Sequence, residues 1–211
     1  MKISIEDWKK YFPYKEPRKI QTEVIDNILN EFKSGKRFAV VECGTGVGKS
    51  AIGFTIANYI NNSSEYPSDK IPGSYFLTTQ KILQNQYEKD FAKKGMISLY
   101  SSSNYVCKED GKASCKDILT GLRSNSIPKK YDSCNYKCIY KKQKSLFNDE
   151  MLGITNFSYF LTEKNYIKKL ENKRVLIVDE AHNLESELTK FIEISVSEYF
   201  SEKILKVKIP K

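Results

Sequence analysis

No apolar run in this sequence approaches the roughly 20 residues a membrane-spanning helix needs, which excludes a helical integral membrane protein. No apolar signal-peptide region follows Met1, so the expected compartment is intracellular, the cytoplasm of a bacterium or of a phage-infected cell. Acidic charge is in deficit, with 26 Asp and Glu against 35 Lys and Arg, for a net charge of +9. A balance this basic points to a polyanionic partner, of which nucleic acid is the commonest. A lysine-rich, solvated surface is the plain alternative. Cysteine occurs five times, and in an intracellular chain it argues for metal or redox chemistry over disulfides. Histidine occurs once, at His182.

What is present is a soluble globular composition, 40% hydrophobic and 29% charged. The length of 211 residues suits one large domain, or one domain carrying an insertion. Residues 37–50 read RFAVVECGTGVGKS. The apolar run 38–41 predicts a buried strand. It gives way to a loop with Gly44, Gly46 and Gly48, then to Lys49, Ser50 and a helical pattern over 51–60. Strand, glycine-rich loop and helix in that order is the context of a phosphate-binding P-loop. Its backbone N–H groups, from Gly44, Thr45, Gly46, Val47 and Gly48 onward, would turn onto a phosphate. The helix N-terminus adds partial positive charge. Lys49 would reach the β- and γ-phosphates of ATP, and the Ser50 hydroxyl would hold Mg²⁺. The usual opening glycine is replaced by Cys43; a glycine-rich turn without function is the plain alternative, and it fits poorly because Gly-x-Gly-x-Gly-Lys-Ser is an unusual way merely to end a strand.

Ahead of it, apolar residues at a 3.6-residue period predict a helix over 20–32, with Gly35 past its end. Arg18 and Gln21 stand on its first turn. Gln21 has the groups to pair with an adenine edge, and is equally readable as a solvated helix residue. Beyond the P-loop helix, a polar loop over 61–72 leads to a strand over 74–78 and a helix over 80–93. Their junction reads FLTTQKILQNQ. Hydroxyls and amides there lie on the P-loop edge of a parallel sheet, where Thr78, Thr79 and Gln84 could bind a nucleic-acid backbone, or Thr79 merely cap the helix.

Apolar periodicity fades over 101–145. Between Asn104 and Lys144 there are ten Lys or Arg and four Asp or Glu, interleaved with Tyr105, Tyr131, Tyr136 and Tyr140. Cations for phosphates and rings for bases are the ingredients of a single-strand path. Cys107, Cys115, Cys134 and Cys138 fall in the same segment. Four thiolates in a core-poor stretch can close on one metal centre, and the spacing alone leaves zinc and an iron–sulfur cluster equally open. The globular pattern resumes with a strand over 151–155, a helix or turn opened by Asn156, and the apolar strand 175–178. Asp179 and Glu180 follow at its end. Opposite a P-loop, such carboxylates hold Mg²⁺ (Asp179) and polarise the attacking water (Glu180). His182 would relay between the nucleotide and nucleic-acid sites. A metabolic P-loop kinase or GTPase-like switch would explain neither the cysteines nor DEAH.

The pieces PRKIQ, ECGTGVGKS, FLTTQKILQNQ, SNYVC, the four-cysteine segment, ITNFSYFL and VLIVDEAHNL stand in one order over most of the chain. Together they resemble the superfamily 2 DNA helicases with an iron–sulfur domain, the XPD-like and DinG-like group. That resemblance implies an α/β fold, a RecA-like P-loop NTPase sheet flanked by helices. Its first part would span 1–100, a small, mostly helical or irregular insertion 101–145, and its second part 146–211. It implies a [4Fe-4S] cluster in the insertion, contacts from Tyr105, Tyr136 and Asn156 to nucleic acid, and ATP-driven 5′-to-3′ movement on single-stranded or forked DNA. Nothing after DEAH resembles a second RecA-like domain, which is expected in cis beyond Lys211 or in trans. The other class of reading is a non-catalytic single-strand-binding module with a zinc-stabilised insertion and a vestigial P-loop.

Overall fold

The computed structural model describes residues 8–66, 69–123, 138–167 and 170–192. Cys134, Tyr131 and Tyr136 lie outside these residues. The chain divides into two compact units, Met1–Glu180 and Ala181–Lys211. The second contains a 3-10 turn, Ala181–Asn183, and a helix, Leu184–Ile192.

The first unit is built on four parallel strands, β1 (Ile71–Thr78), β2 (Met96–Leu99), β3 (Leu152–Asn156) and β4 (Lys173–Val178), in the order β2–β3–β1–β4. Helices α1 (Lys19–Lys33), α2 (Lys49–Asn62), α3 (Lys81–Phe91), α4 (Cys115–Arg123), α5 (Ile139–Asp149) and α6 (Phe157–Thr162) connect or cover them. A parallel sheet covered on both faces needs strands apolar on both sides, and β1 shows this directly. Phe76 joins Phe54 and Ala57 of α2, Tyr87 and Phe91 of α3, and Ile154 in one core. On the opposite face Tyr75 stacks on Phe147 of α5, with ring centroids 5.4 Å apart, and meets Phe160 of α6 edge-on. Successive side chains of a strand point to opposite faces, so two consecutive aromatics anchor two helix layers.

Helix α2 is apolar nearly all round because it is covered on two sides. Ile52, Ile56, Tyr59 and Ile60 pack against Trp8, Ile25 and Leu29, while Phe54 and Ala57 meet the sheet. Gly53 keeps α2 close to β4, since a Cβ there would lie 3.3 Å from Ile177. The burial fixes α2, and with it the loop at its head.

Three features depart from the sequence-based expectations. The run 38–41 forms no strand, and Phe38 and Val40 are 86% and 95% exposed. Among the described residues β4 pairs only with β1, so the run has no ladder partner, and an unpaired segment is not a strand whatever its propensity. Strand β2 was not anticipated. It is four residues long, follows Gly95 in a left-handed conformation, and is too short to show a period. Helix α5 begins beside Cys138 and runs across residue 145 onto the sheet, burying Phe147 completely. Among the described residues no helix is long and apolar enough to cross a membrane.

Phe147 and Gly153 make the tightest contact in this layer. A Cβ on Gly153 would lie 2.6 Å from the Phe147 ring. Gly153→Ala is therefore expected to destabilise the fold by about 1–3 kcal/mol through overpacking. Adding Phe147→Leu should recover part of that loss in thermal or denaturant unfolding; purely additive costs would show that the two residues do not share this space.

Candidate nucleotide-binding site

The loop 43–48 joins α2 with Gly48 as the residue before the first helical turn, at φ 86°. The helix therefore starts with backbone N–H groups that have no partner inside it, aimed out of its N-terminus. Two residues of α1 brace this loop. Arg18 Nη1 donates to Gly46 O at 2.7 Å, and Gln21 Nε2 donates to Val47 O at 2.8 Å. Gln21 Oε1 accepts from Arg18 N at 2.8 Å. Both ends of the Gln21 amide are thus engaged, and the residue is buried. It lies under the glycine-rich loop, where its amide holds backbone.

Lys49, first residue of α2, directs its ammonium toward the end of β4. Its Nζ lies 3.9 Å from Glu180 Oε1 and donates to Cys43 O at 3.4 Å. Both side chains are about one-third exposed, so the pair is held by position more than by strength. Asp179 stands between sheet and loop. Its N–H donates to Leu77 O at 2.9 Å, extending the β1–β4 ladder by one residue. Asp179 Oδ1 accepts from Glu180 N at 3.0 Å, and Oδ2 accepts from Tyr87 Oη at 3.1 Å. Glu180 has φ 52°, and among the described residues it is the non-glycine with positive φ. A left-handed residue with a long side chain is costly and concentrates at functional sites. Here it turns the chain sharply off β4 and leaves the Glu180 carboxylate facing Lys49. His182 lies in the 3-10 turn of the second unit.

Tyr87 was not anticipated as part of the site. Its i, i+4 spacing from Phe91 on α3 is that of a core aromatic, which its ring is. Burial, followed by the charge of Asp179 and their hydrogen bond, pushes its phenol far above the ordinary range. It is therefore protonated and acts as a donor to the carboxylate.

The residues expected to meet nucleic acid are mostly occupied. Gln84 is buried and its Nε2 donates to Ser98 Oγ and Leu99 O, both at 3.0 Å, clamping α3 to β2. Thr78 is buried, with its hydroxyl on Gln80 O. Asn156 caps α6 by accepting from Ser158 N and donates to Thr79 O. Tyr105 Oη accepts from Tyr100 N, and its ring lies 5.5 Å from that of Tyr140. Burial and internal bonding occupy Gln84 and Thr78, while Asn156 and Tyr105 are half-buried and partly engaged within the fold. The exception is Thr79, whose buried hydroxyl has no hydrogen-bond partner.

Of the four clustered cysteines, the three described are all buried. An isolated bridge between Val106 and Ser114 brings Cys107 and Cys115 onto neighbouring segments, and Cys138 precedes α5. The Sγ atoms of Cys115 and Cys138 are 3.9 Å apart. Burial, then the neighbouring Cys138 thiol, pushes the Cys115 thiol up. Crowded thiols that resist ionisation in isolation are what a bound cation would reverse. Two thiolates bound to one zinc at about 2.3 Å each stand about 3.8 Å apart at the tetrahedral angle, so this pair fits a shared metal. Among the described residues no group of three potential ligands is placed to hold one.

Gly48 provides a test of the loop. A Cβ there would lie 2.5 Å from Gln21 Nε2 and sit on a left-handed backbone, so Gly48→Ala should cost about 1–2 kcal/mol from the backbone alone and weaken nucleotide binding. Gly44 has open space around its Cβ position, so Gly44→Ala should leave the unfolding free energy within about 0.5 kcal/mol of the parent.

The geometry is that of a helicase-like domain on a RecA-like sheet: phosphate loop at the head of one helix, paired acids at the end of a parallel strand beside it. No curated protein matches the chain. The model of the type III restriction enzyme res subunit family matches residues 14–207, nearly the whole length, and the chain belongs to that family.

Proposed function

We propose that this chain is the N-terminal, ATP-binding half of an ATP-dependent DNA helicase that translocates on a single strand and carries a cysteine-ligated metal centre. The observation that carries the proposal is the meeting of Lys49 with Glu180, 3.9 Å apart, across the gap between the head of α2 and the end of β4. These residues are far apart in the sequence, one at the head of α2 and the other just past the end of β4. A cation and two acids around an open helix N-terminus suit a magnesium nucleotide.

In the proposed reaction, backbone N–H groups from Gly44 to Ser50 hold the phosphates of ATP. Lys49 exchanges Glu180 for the β- and γ-phosphates, which releases the Glu180 carboxylate to orient the attacking water. Ser50 and Asp179 would hold Mg²⁺, which supplies charge neutralisation at the phosphates. His182 is proposed as the relay to the nucleic-acid side. Arg18 and Gln21 act from beneath the loop. Thr79 remains a proposed strand contact near α3: its hydroxyl has no hydrogen-bond partner, and it would have to rotate out of its covered position to meet a strand. An arginine on the γ-phosphate, worth a factor of about 10³–10⁵ in such enzymes, is proposed to come from a second RecA-like domain, so this chain alone should hydrolyse ATP slowly.

Residues 101–145 are proposed as the metal-bearing insertion, with Cys107, Cys115, Cys134 and Cys138 as ligands. A [4Fe-4S] cluster follows from the helicase resemblance. Zinc has an observation of its own, the 3.9 Å separation of two sulfurs. Brown protein after anaerobic purification would establish the cluster; colourless protein with one zinc per chain would establish zinc.

The catalytic reading is tested with the missing half supplied. Lys49→Ala and Glu180→Gln should each reduce single-strand-stimulated ATP hydrolysis by about two orders of magnitude or more, the scale of losing a positioned charge or water-orienting group. Survival of stimulated hydrolysis in both variants would favour a binding module with a vestigial loop.

A further inference from the structure

Asp179 is held at both carboxylate oxygens. The Glu180 N–H at 3.0 Å on Oδ1 is a neighbour in the chain, but the Tyr87 hydroxyl at 3.1 Å on Oδ2 arrives from a helix 92 residues earlier. Tyr87 is 4% exposed. Its ring lies between Phe76 and Phe91, with centroids 5.8 and 5.7 Å away, so the hydroxyl cannot swing without moving the core. If filling space were its whole task, phenylalanine would serve, since burying a hydroxyl is costly unless a partner repays it. The partner here is the acid at the end of β4. With each oxygen fixed by one donor, the carboxylate keeps a set rotation about its Cβ–Cγ bond, and its remaining lone pairs face away from both donors.

We propose that Tyr87 is a positioning residue for Asp179, its hydroxyl fixing the rotation of the carboxylate for the magnesium of a bound nucleotide. This role rests on the nucleotide reading above. Groups that orient a metal ligand through a hydrogen bond change metal affinity without touching the metal. Tyr87 also places α3, whose first turn follows Thr79, in direct connection with that ligand. The core aromatic and the Mg²⁺ carboxylate thus move as one piece.

The test uses the full 211-residue chain and a fluorescent N-methylanthraniloyl ATP, titrated with Mg²⁺ and separately in EDTA. Mn²⁺ binding to the nucleotide-loaded protein, followed by electron paramagnetic resonance, gives a readout independent of turnover. Tyr87→Phe keeps the ring and its packing. It should leave affinity in EDTA unchanged and reduce the gain from Mg²⁺ about tenfold, with a matching loss for Mn²⁺. In an Asp179→Asn background, Tyr87→Phe should add no further loss, because residues acting through one contact are not additive. An unchanged Mg²⁺ gain, an equal loss with and without metal, or additive losses in the double variant would each overturn the role. A parent chain with no Mg²⁺-dependent gain would overturn the nucleotide reading itself, together with this one. A gain that persists in Tyr87→Phe overturns only the positioning.

Discussion

The parallel ladder between β1 and β4 sets Phe76 opposite Ile177 and Leu77 opposite Val178, and the Asp179 N–H carries it one step further onto Leu77 O. This register is the constraint on which the site depends. A strand has a side-chain period of two, so slipping β4 by one residue would reverse which face each residue covers. It would withdraw Asp179 from Tyr87 and Glu180 from Lys49. Two cores resist the slip. Ile177 packs on the α2 side and is met closely by Gly53, while Lys173 at the other end of β4 is buried, with its Nζ donating to Phe147 O and Glu150 O at the end of α5. Burial lowers the Lys173 ammonium to about 8, a cost accepted where the helix carbonyls need a donor.

The glycine loop leading into a helix and the two acids after an apolar strand were readable because each depends on local chemistry: glycine where the backbone must turn, a carboxylate where a strand ends. Helices α1, α2 and α3 were readable for a similar reason, as Ile25 and Leu29 of α1 show by repeating at the period of the face they bury. What could not be read was the use of polar groups inside the fold. Gln21, Gln84 and Asn156 carry the same amides that could serve a base or a phosphate, and only the contacts show them spent on Val47, Leu99 and Thr79. Tyr87 shows the converse: an aromatic at core spacing whose hydroxyl, not its ring, reaches the site. The run 38–41 was misread because strand propensity says nothing of whether a neighbour exists to pair with.

The cysteine segment divides in the same way. Clustering and charge were visible in composition, but the closeness of Cys115, first residue of α4, and Cys138, just before α5, is a tertiary fact. The tyrosines around them serve more than one purpose. Tyr140 and Tyr159 share a hydrogen bond between hydroxyls at 2.7 Å, beside the buried Lys144–Glu163 ion pair. These polar contacts bind α5 to α6 and to the turn that follows it.

We propose that a nucleotide phosphate takes the place of the Glu180 carboxylate beside Lys49. It is tested most directly by a crystal structure of the chain with Mg²⁺ and a non-hydrolysable ATP analogue. Phosphates are expected over the N–H groups at the head of α2, with Lys49 Nζ moved from Glu180 to a phosphate oxygen and Asp179 facing the metal with its bond from Tyr87 intact. Lys49 still paired with Glu180 while the nucleotide lies elsewhere, or no nucleotide at saturating concentration, would contradict it.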